Sequence, residues 1–416
     1  MSTEFLPLSV AKDGAKMTAL DMNYGMLVSP PLNRLDDNVV NSSQTVNAPS
    51  RQQHRYVEPF VANAIKPAHR QLGMTLIEIM IALLIGAFLL GGVVQIFISS
   101  KQTNRMQEGL SRLQENGRFA VNFISKDMRR AGFQGCPSLR NGNVISNVIV
   151  SAPVIPALTE NTLISGVDSI SSNWNANACG AGNVCIAGTD AVSLTYGESC
   201  GGNLSAAMAD VNADIQILAI NTCSVNATWA LLVSNCSTAD IFRATNDASN
   251  SGTAIQHSAL NTAYGMDAEL FIYRGYTYFI RESTSGAPGR SLWRLDNTKV
   301  TSGSNPVELI EGIEDMQVLY GVDSDDDDDG NSTTSAPDGP ANYYVSANNI
   351  PDLDINGVPD WFRVISIRIS ILAVTLDDNL SAQPVSYTYN GATITPADLK
   401  IRRVFNTTIV LRNRLP

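Results

Sequence analysis

Histidine is almost missing from this 416-residue chain, which has three. His54 and His69 fall within the first 73 residues, so any Ser-His-Asp arrangement beyond them rests on His257 alone. That residue sits among Ser, Asn and Thr with no G-x-S-x-G sequence around it, which argues against acyl-transfer chemistry. Basic charge is also scarce: 28 Lys and Arg face 39 Asp and Glu, a net charge of −11. Residues 1–73 hold seven basic and six acidic side chains, a net of +1, so the remainder carries −12. A nucleic-acid binder presents a basic face, and no nucleic-acid partner is expected. Zinc sites want paired Cys or His at close spacing, and Cys179 and Cys185 are too far apart for that.

Charge and proline are both lacking between Met74 and Ile98, where the one charged residue is Glu78. At helical rise this run covers the roughly 30 Å of a bilayer's hydrocarbon core. An ionised carboxylate buried in hydrocarbon costs several kcal/mol unless it is paired, so its presence there points to function. The partner that fits is an N-terminal amine, released by a cut between Gly73 and Met74. Lys66, His69 and Arg70 just before the cut keep that side cytoplasmic by the positive-inside rule. No cysteine precedes the run. All six (Cys136, Cys179, Cys185, Cys200, Cys223, Cys236) follow it, and an even set on the exported side reads as disulfides. Cys179–Cys185 is the best single pair, because a short Gly-containing segment closes a tight loop.

Beyond Lys101 the pattern becomes amphipathic. Met106, Leu110, Leu113, Ala120, Ile124 and Met128 recur every three or four residues among Arg105, Glu108, Arg112, Glu115 and Arg118. One helix is expected from about 75 to 131, softened at Gly91-Gly92 and ended by Gly132, Gly135 and Pro137. Residues 138–265 are rich in Asn, Ser, Ala and Gly and read as a loop-heavy insertion. Glu269–Phe279 suggests a hairpin turning at Arg274-Gly275. Leu292–Leu295 reads as a short strand. Ile365, Ile367, Ile369 and Ile371 alternate with Ser366, Arg368 and Ser370, the period of a half-buried antiparallel strand, and Arg402–Leu411 reads as another. The fold class is therefore α+β: a long N-terminal helix on a mainly antiparallel head with a loop-rich, disulfide-bearing insertion.

Gly73-Met74-Thr75-Leu76-Ile77-Glu78 resembles the class III signal of type IV pilins and type II secretion pseudopilins, with Met74 in place of the usual Phe. Three further stretches resemble PilW-type minor pilins: Lys126–Phe133 (KDMRRAGF), Val307–Val318 (VELIEGIEDMQV), and Arg402–Phe405 with Leu411–Arg414. This resemblance implies a non-enzymatic subunit, cut after Gly73 by a prepilin peptidase and methylated on Met74. It further implies insertion in the inner membrane with a periplasmic head, then assembly with other minor pilins, the major pilin and a tip adhesin, supporting adhesion or twitching motility. Residues 1–73 are then a leader, 74–100 a transmembrane and filament-core segment, 101–133 the amphipathic half of the same helix, and 134–416 the head. Family leaders are much shorter, so a later translation start is expected. The alternatives are a J-type pseudopilin, or an anchored ectodomain whose Thr-Leu-Ile-Glu is coincidental.

Asp325 to Asp329 precede Gly330 and fit D-x-D-x-D-G, which makes Asp325, Asp327 and Asp329 candidate calcium ligands. The twelfth position of that loop is Ala336, not the Glu of an EF-hand, so any affinity is weak and no cofactor is required. Arg402, Arg403, Arg412 and Arg414 near the C-terminus read as a solvated strand face.

Overall fold

A computed structural model describes residues 73–136, 146–147, 158–217, 225–248, 254–284, 289–299, 305–324, 339–352 and 357–414. The chain divides between Gly73 and Met74 into two units, and the fold below is that of the second, Met74–Pro416.

Helix α1 runs unbroken over Leu76–Met128, passing through Gly91 and Gly92. Its 53 residues span about 80 Å. The two halves differ in what they touch. From Met74 to Ile98 the large apolar side chains all stand exposed, Leu76 and Phe88 at 76%. From Gly109 onward one stripe is buried: Gly109, Leu113, Gly117, Ala120, Ile124 and Met128. On the outer face Arg112 reaches back to Glu108 at 2.8 Å, a one-turn pair that supports the helix by a few tenths of a kcal/mol. The end is abrupt. Gly132 turns at φ +76°, and its N–H donates to Thr195 O, while Gly197 N–H donates to Phe133 O.

The strands, in chain order, are β1 (Ser146–Asn147), β2 (Ile164–Val167), β3 (Ala191–Asn203), β4 (Ala230–Ser234), β5 (Ala239–Arg243), β6 (Glu269–Glu282), β7 (Arg290–Asp296) and β8 (Val307–Glu311). They continue with β9 (Ile313–Val322), β10 (Tyr343–Val345), β11 (Val364–Val374), β12 (Tyr387–Tyr389), β13 (Ala392–Ile394) and β14 (Arg402–Val410). The first eight form one sheet, ordered β1-β5-β4-β6-β3-β2, with β7 beside β6 and β8 beside β7. A second sheet, β10-β9-β11-β14, is antiparallel throughout. One continuous core joins the buried stripe of α1, the inner face of the first sheet and the isoleucines of β11.

The segment Val307–Val318 is where the chain changes sheets. Gly312 lies between β8 and β9 at φ +73°, where a Cβ would stand 2.8 Å from Val374 O. Its N–H donates to Arg290 O in β7, and its carbonyl accepts from Val374 N in β11. Asn116 of α1 donates to Glu311 O beside it. Asp190, just before β3, joins the sheets a second time. Its N–H donates to Met316 O, and its carboxylate accepts from Val318 N at 2.8 Å and Ser169 N at 3.0 Å. Burial pushes that carboxyl up to about 7, opposed by the two N–H donors.

Two sequence expectations change. Glu269–Phe279 is no hairpin: β6 runs straight through Arg274-Gly275 as far as Glu282. A two-residue hairpin needs positive φ, and the unbroken register with β3 from Val192 to Ser199 on one edge, with β4 and β7 pairing the two ends of the other, holds this strand extended. The arginines are not one solvated face either. Arg403 and Arg412 are exposed, but the Arg402 side chain is 6% exposed and Arg414 is buried, donating to Trp361 O and Glu160 O. The region 138–265 also supplies more regular structure than its composition suggests, since β3 pairs with β6 over most of its length.

Helix α1 meets β14 at very short range. A Cβ on Gly117 would lie 2.2 Å from the Phe405 ring, and one on Gly109 would lie 2.6 Å from Leu380. Gly117→Ala is therefore expected to destabilise the head by about 1–3 kcal/mol through overpacking, despite alanine's higher helix propensity. Phe405→Leu in the same chain should restore part of that loss. Denaturation midpoints of the single and double variants check it, and additive losses would show that the two residues do not compete for space.

Candidate functional site: the N-terminal segment of α1

The first turn of α1 gathers the residues singled out from the sequence. Thr75 precedes the helix in extended conformation, and its carbonyl accepts from Glu78 N and Ile79 N. Glu78 is the acidic residue of that turn, where the exposed N–H groups and the helix dipole favour a negative charge. Its carboxylate is exposed, and no partner for it occurs among the described residues. Met74 is 74% exposed. Nothing within 4 Å would oppose a Cβ on Gly73, which lies on the other side of the unit boundary. A carboxylate thus stands at one end of a helix long and apolar enough to cross a membrane, with that apolar surface unburied by the chain itself.

The head holds its half of the helix with buried polar groups as well as apolar contacts. Asp127, in the last turn of α1, is buried and accepts from the hydroxyls of Tyr278 and Tyr196. Arg294 reaches it at 3.5 Å and lies 4.2 Å from the Tyr276 ring. Burial, then the Asp127 charge, pushes both Tyr196 and Tyr278 upward, so they stay protonated donors. One turn on, Arg130 touches Glu198 and the Tyr196 ring, and Asn413 near the C-terminus donates to Ala131 O. These are residues of the KDMRRAGF and Leu411–Arg414 stretches, which the sequence marked without revealing that they meet.

Two disulfides lie wholly among the described residues. Cys136 joins Cys236, tying the exit of α1 to the turn after β4 across 100 residues of sequence. In the chain-entropy picture a loop of that length contributes about 4–5 kcal/mol. Cys179 joins Cys185 in the short loop opened by α2 (Ala176–Cys179), whose start is capped by the Asn175 side chain. Cys200 is disulfide-bonded too, while Cys223 lies outside the described residues. So do Asp325, Asp327 and Asp329. Just after β9, the Asp323 carboxylate accepts from Gly339 N at 3.0 Å.

An apolar helix with its carboxylate at the mouth, its far half laid on a mainly antiparallel head, is consistent with a membrane-anchored pilin. Comparison with known families agrees at both ends of the chain. Residues 68–94 match the prokaryotic N-terminal methylation motif, and residues 277–413 match the type IV pilus-assembly protein W family. The two matches together support a PilW-type minor pilin of the type IV pilus, a family whose members are structural pilus components. The second match covers about a third of the chain, from the latter half of β6 through the whole of the second sheet. That is the sheet on which α1 lies. No curated protein and no solved structure matches the chain.

Proposed function

We propose that this chain is a non-enzymatic subunit that helps initiate and assemble type IV pili. A prepilin peptidase cuts between Gly73 and Met74 and the new amine is methylated. The helix from Met74 anchors the subunit in the inner membrane with its head in the periplasm, then enters the filament bundle beside other minor pilins and the major pilin. A tip adhesin is the expected outer partner, with adhesion or twitching motility as the outcome. One observation carries this reading: Glu78 is a carboxylate with no partner among the described residues, in the first turn of an unburied apolar helix, five residues after a glycine. Such a group asks for a cation in a dry setting, and a neighbouring subunit's amine is the one the cut supplies. The match to a pilus-assembly family favours a pilus subunit over a secretion pseudopilin.

N-terminal mass spectrometry of membrane-extracted protein tests it. The expected mature chain begins with N-methyl-methionine at Met74, and Gly73→Ala leaves the chain uncut. A mature N-terminus elsewhere, or an uncut wild-type chain, overturns the reading.

A further inference from the structure

The first sheet carries a cavity of about 220 Å³ between the turn before β4 and the turn after β7. Trp229, Arg274, Thr228, Lys299, Thr298 and Tyr273 line it. It is smaller than the usual drug-sized site of roughly 300–1,000 Å³, so it suits a single ring rather than an extended chain. Its walls combine an aromatic plate with cations. Trp229 is half-buried, and the Arg274 guanidinium stands 5.7 Å from its ring. Arg274 gives its Nε to Glu198 at 2.8 Å, and its two Nη groups have no hydrogen-bond partner among the described residues. Lys299 is half-exposed and only loosely held by Asp296, at 3.6 Å. Thr298 donates its hydroxyl to Asp296, which leaves its oxygen to accept.

A second feature falls at the same place. Thr228 has φ +74°. A β-branched side chain rarely adopts that backbone region, and such strained residues cluster where a ligand or partner is held. Thr228 is fixed there by its N–H to Ala244 O at 2.7 Å and by Arg243, which donates to its carbonyl. The consequence is the placement of Trp229 beside Arg274. Cations gathered around an aromatic ring also run against the charge of the chain, which is −11 overall.

We infer that this cavity binds the carboxylate-bearing pyranose of an acidic saccharide, a hexuronate unit. The indole covers the C–H face of the sugar ring. Arg274 presents paired N–H donors to the carboxylate, the geometry in which guanidinium recognises it best, and Lys299 adds a point charge. Threonine oxygens face the ring hydroxyls. This inference is independent of how the helix assembles, because every residue used lies in the first sheet or its turns.

The test titrates methyl glucuronide into the detergent-solubilised full-length chain, read by tryptophan fluorescence and saturation-transfer NMR. Methyl glucoside and sodium sulfate are the controls for ring and for charge. Saturable binding of the glucuronide is expected, with each control weaker by about tenfold or more. Trp229→Ala and Lys299→Ala should each weaken it about tenfold, with the melting temperature of the Lys299 variant unchanged. Equal affinity for the glucoside removes the cations from recognition and overturns the inference. So does equal affinity for sulfate, which reduces the cavity to an anion site. No saturable response, or full binding by the Lys299→Ala chain, also overturns it.

Discussion

Glu78→Ala is expected to insert in the membrane, to be cut after Gly73, and then to enter filaments at least tenfold less often than the unchanged subunit. The carboxylate lies at the start of α1 with no partner from its own described chain, so within one subunit it satisfies no contact. In a bundle of apolar helices the same charge becomes an attractor. Two opposite charges 4 Å apart interact by about 1 kcal/mol in water but by about 4 kcal/mol at an effective dielectric of 20. Desolvation of both groups removes a large part of that, and a remaining 1.4 kcal/mol already amounts to tenfold. Glu78→Gln should fall close to the alanine variant, since shape is kept and charge is lost, while Glu78→Asp should retain partial entry. Mass spectrometry of the membrane fraction separates processing from assembly, and quantitative immunoblots of sheared pili measure entry. Unchanged pilus content in Glu78→Ala would mean that nothing docks against this carboxylate.

The candidate processing and assembly residues stand out in the sequence because they are contiguous. Gly73, Met74, Glu78 and an uncharged run follow one another, and a single-charge span is a rare pattern whatever fold follows it. The helix was legible for the same reason, as were β11 and β14, whose alternation survives at the level of neighbouring residues. What stayed hidden depends on contacts remote in sequence. Asp127 meets Tyr278 across 151 residues, and Gly117 becomes a packing requirement only because Phe405 lies over it. Strand β3 was obscured by its Gly, Ser and Thr content, although Val192, Leu194 and Tyr196 alternate correctly and are buried. One local signal was there to be read. Asn390-Gly391, both at positive φ, joins β12 to β13, and Asn-Gly between extended residues is the strongest short-range mark of a hairpin. Arg274-Gly275 has the glycine but is paired in register with Tyr196 and Thr195 of β3, which keeps the backbone extended.

Arg402→Ala is expected to cost the head about 3 kcal/mol, the lower end of the range for breaking a buried ion pair. The side chain is 6% exposed and makes four charge-assisted hydrogen bonds. Its Nε and Nη2 grip Glu314 at the start of β9, two strands away, and Nη1 and Nη2 grip Asp398 four residues before it. Tyr387 of the small hairpin packs near the guanidinium. Removing it leaves two half-buried carboxylates facing each other beside Tyr387, whereas Arg403→Ala, one residue on and exposed, should change stability by less than about 0.5 kcal/mol. Lysine is no substitute, because a single ammonium cannot serve two carboxylates in fork geometry. The pair also predicts an acid dependence. The hydrogen bonds from Arg402 hold Asp398 below the usual aspartate range, so its contribution is present above that range and is lost as pH falls through the lowered value. The Arg402→Ala head should lose that component of its acid sensitivity. Urea midpoints at neutral and acidic pH, for the unchanged, Arg402→Ala, Arg402→Lys and Arg403→Ala chains, measure both effects. Equal midpoints for the Arg402→Ala and Arg403→Ala chains would show that the second sheet holds its edge strand by backbone pairing and apolar contact alone.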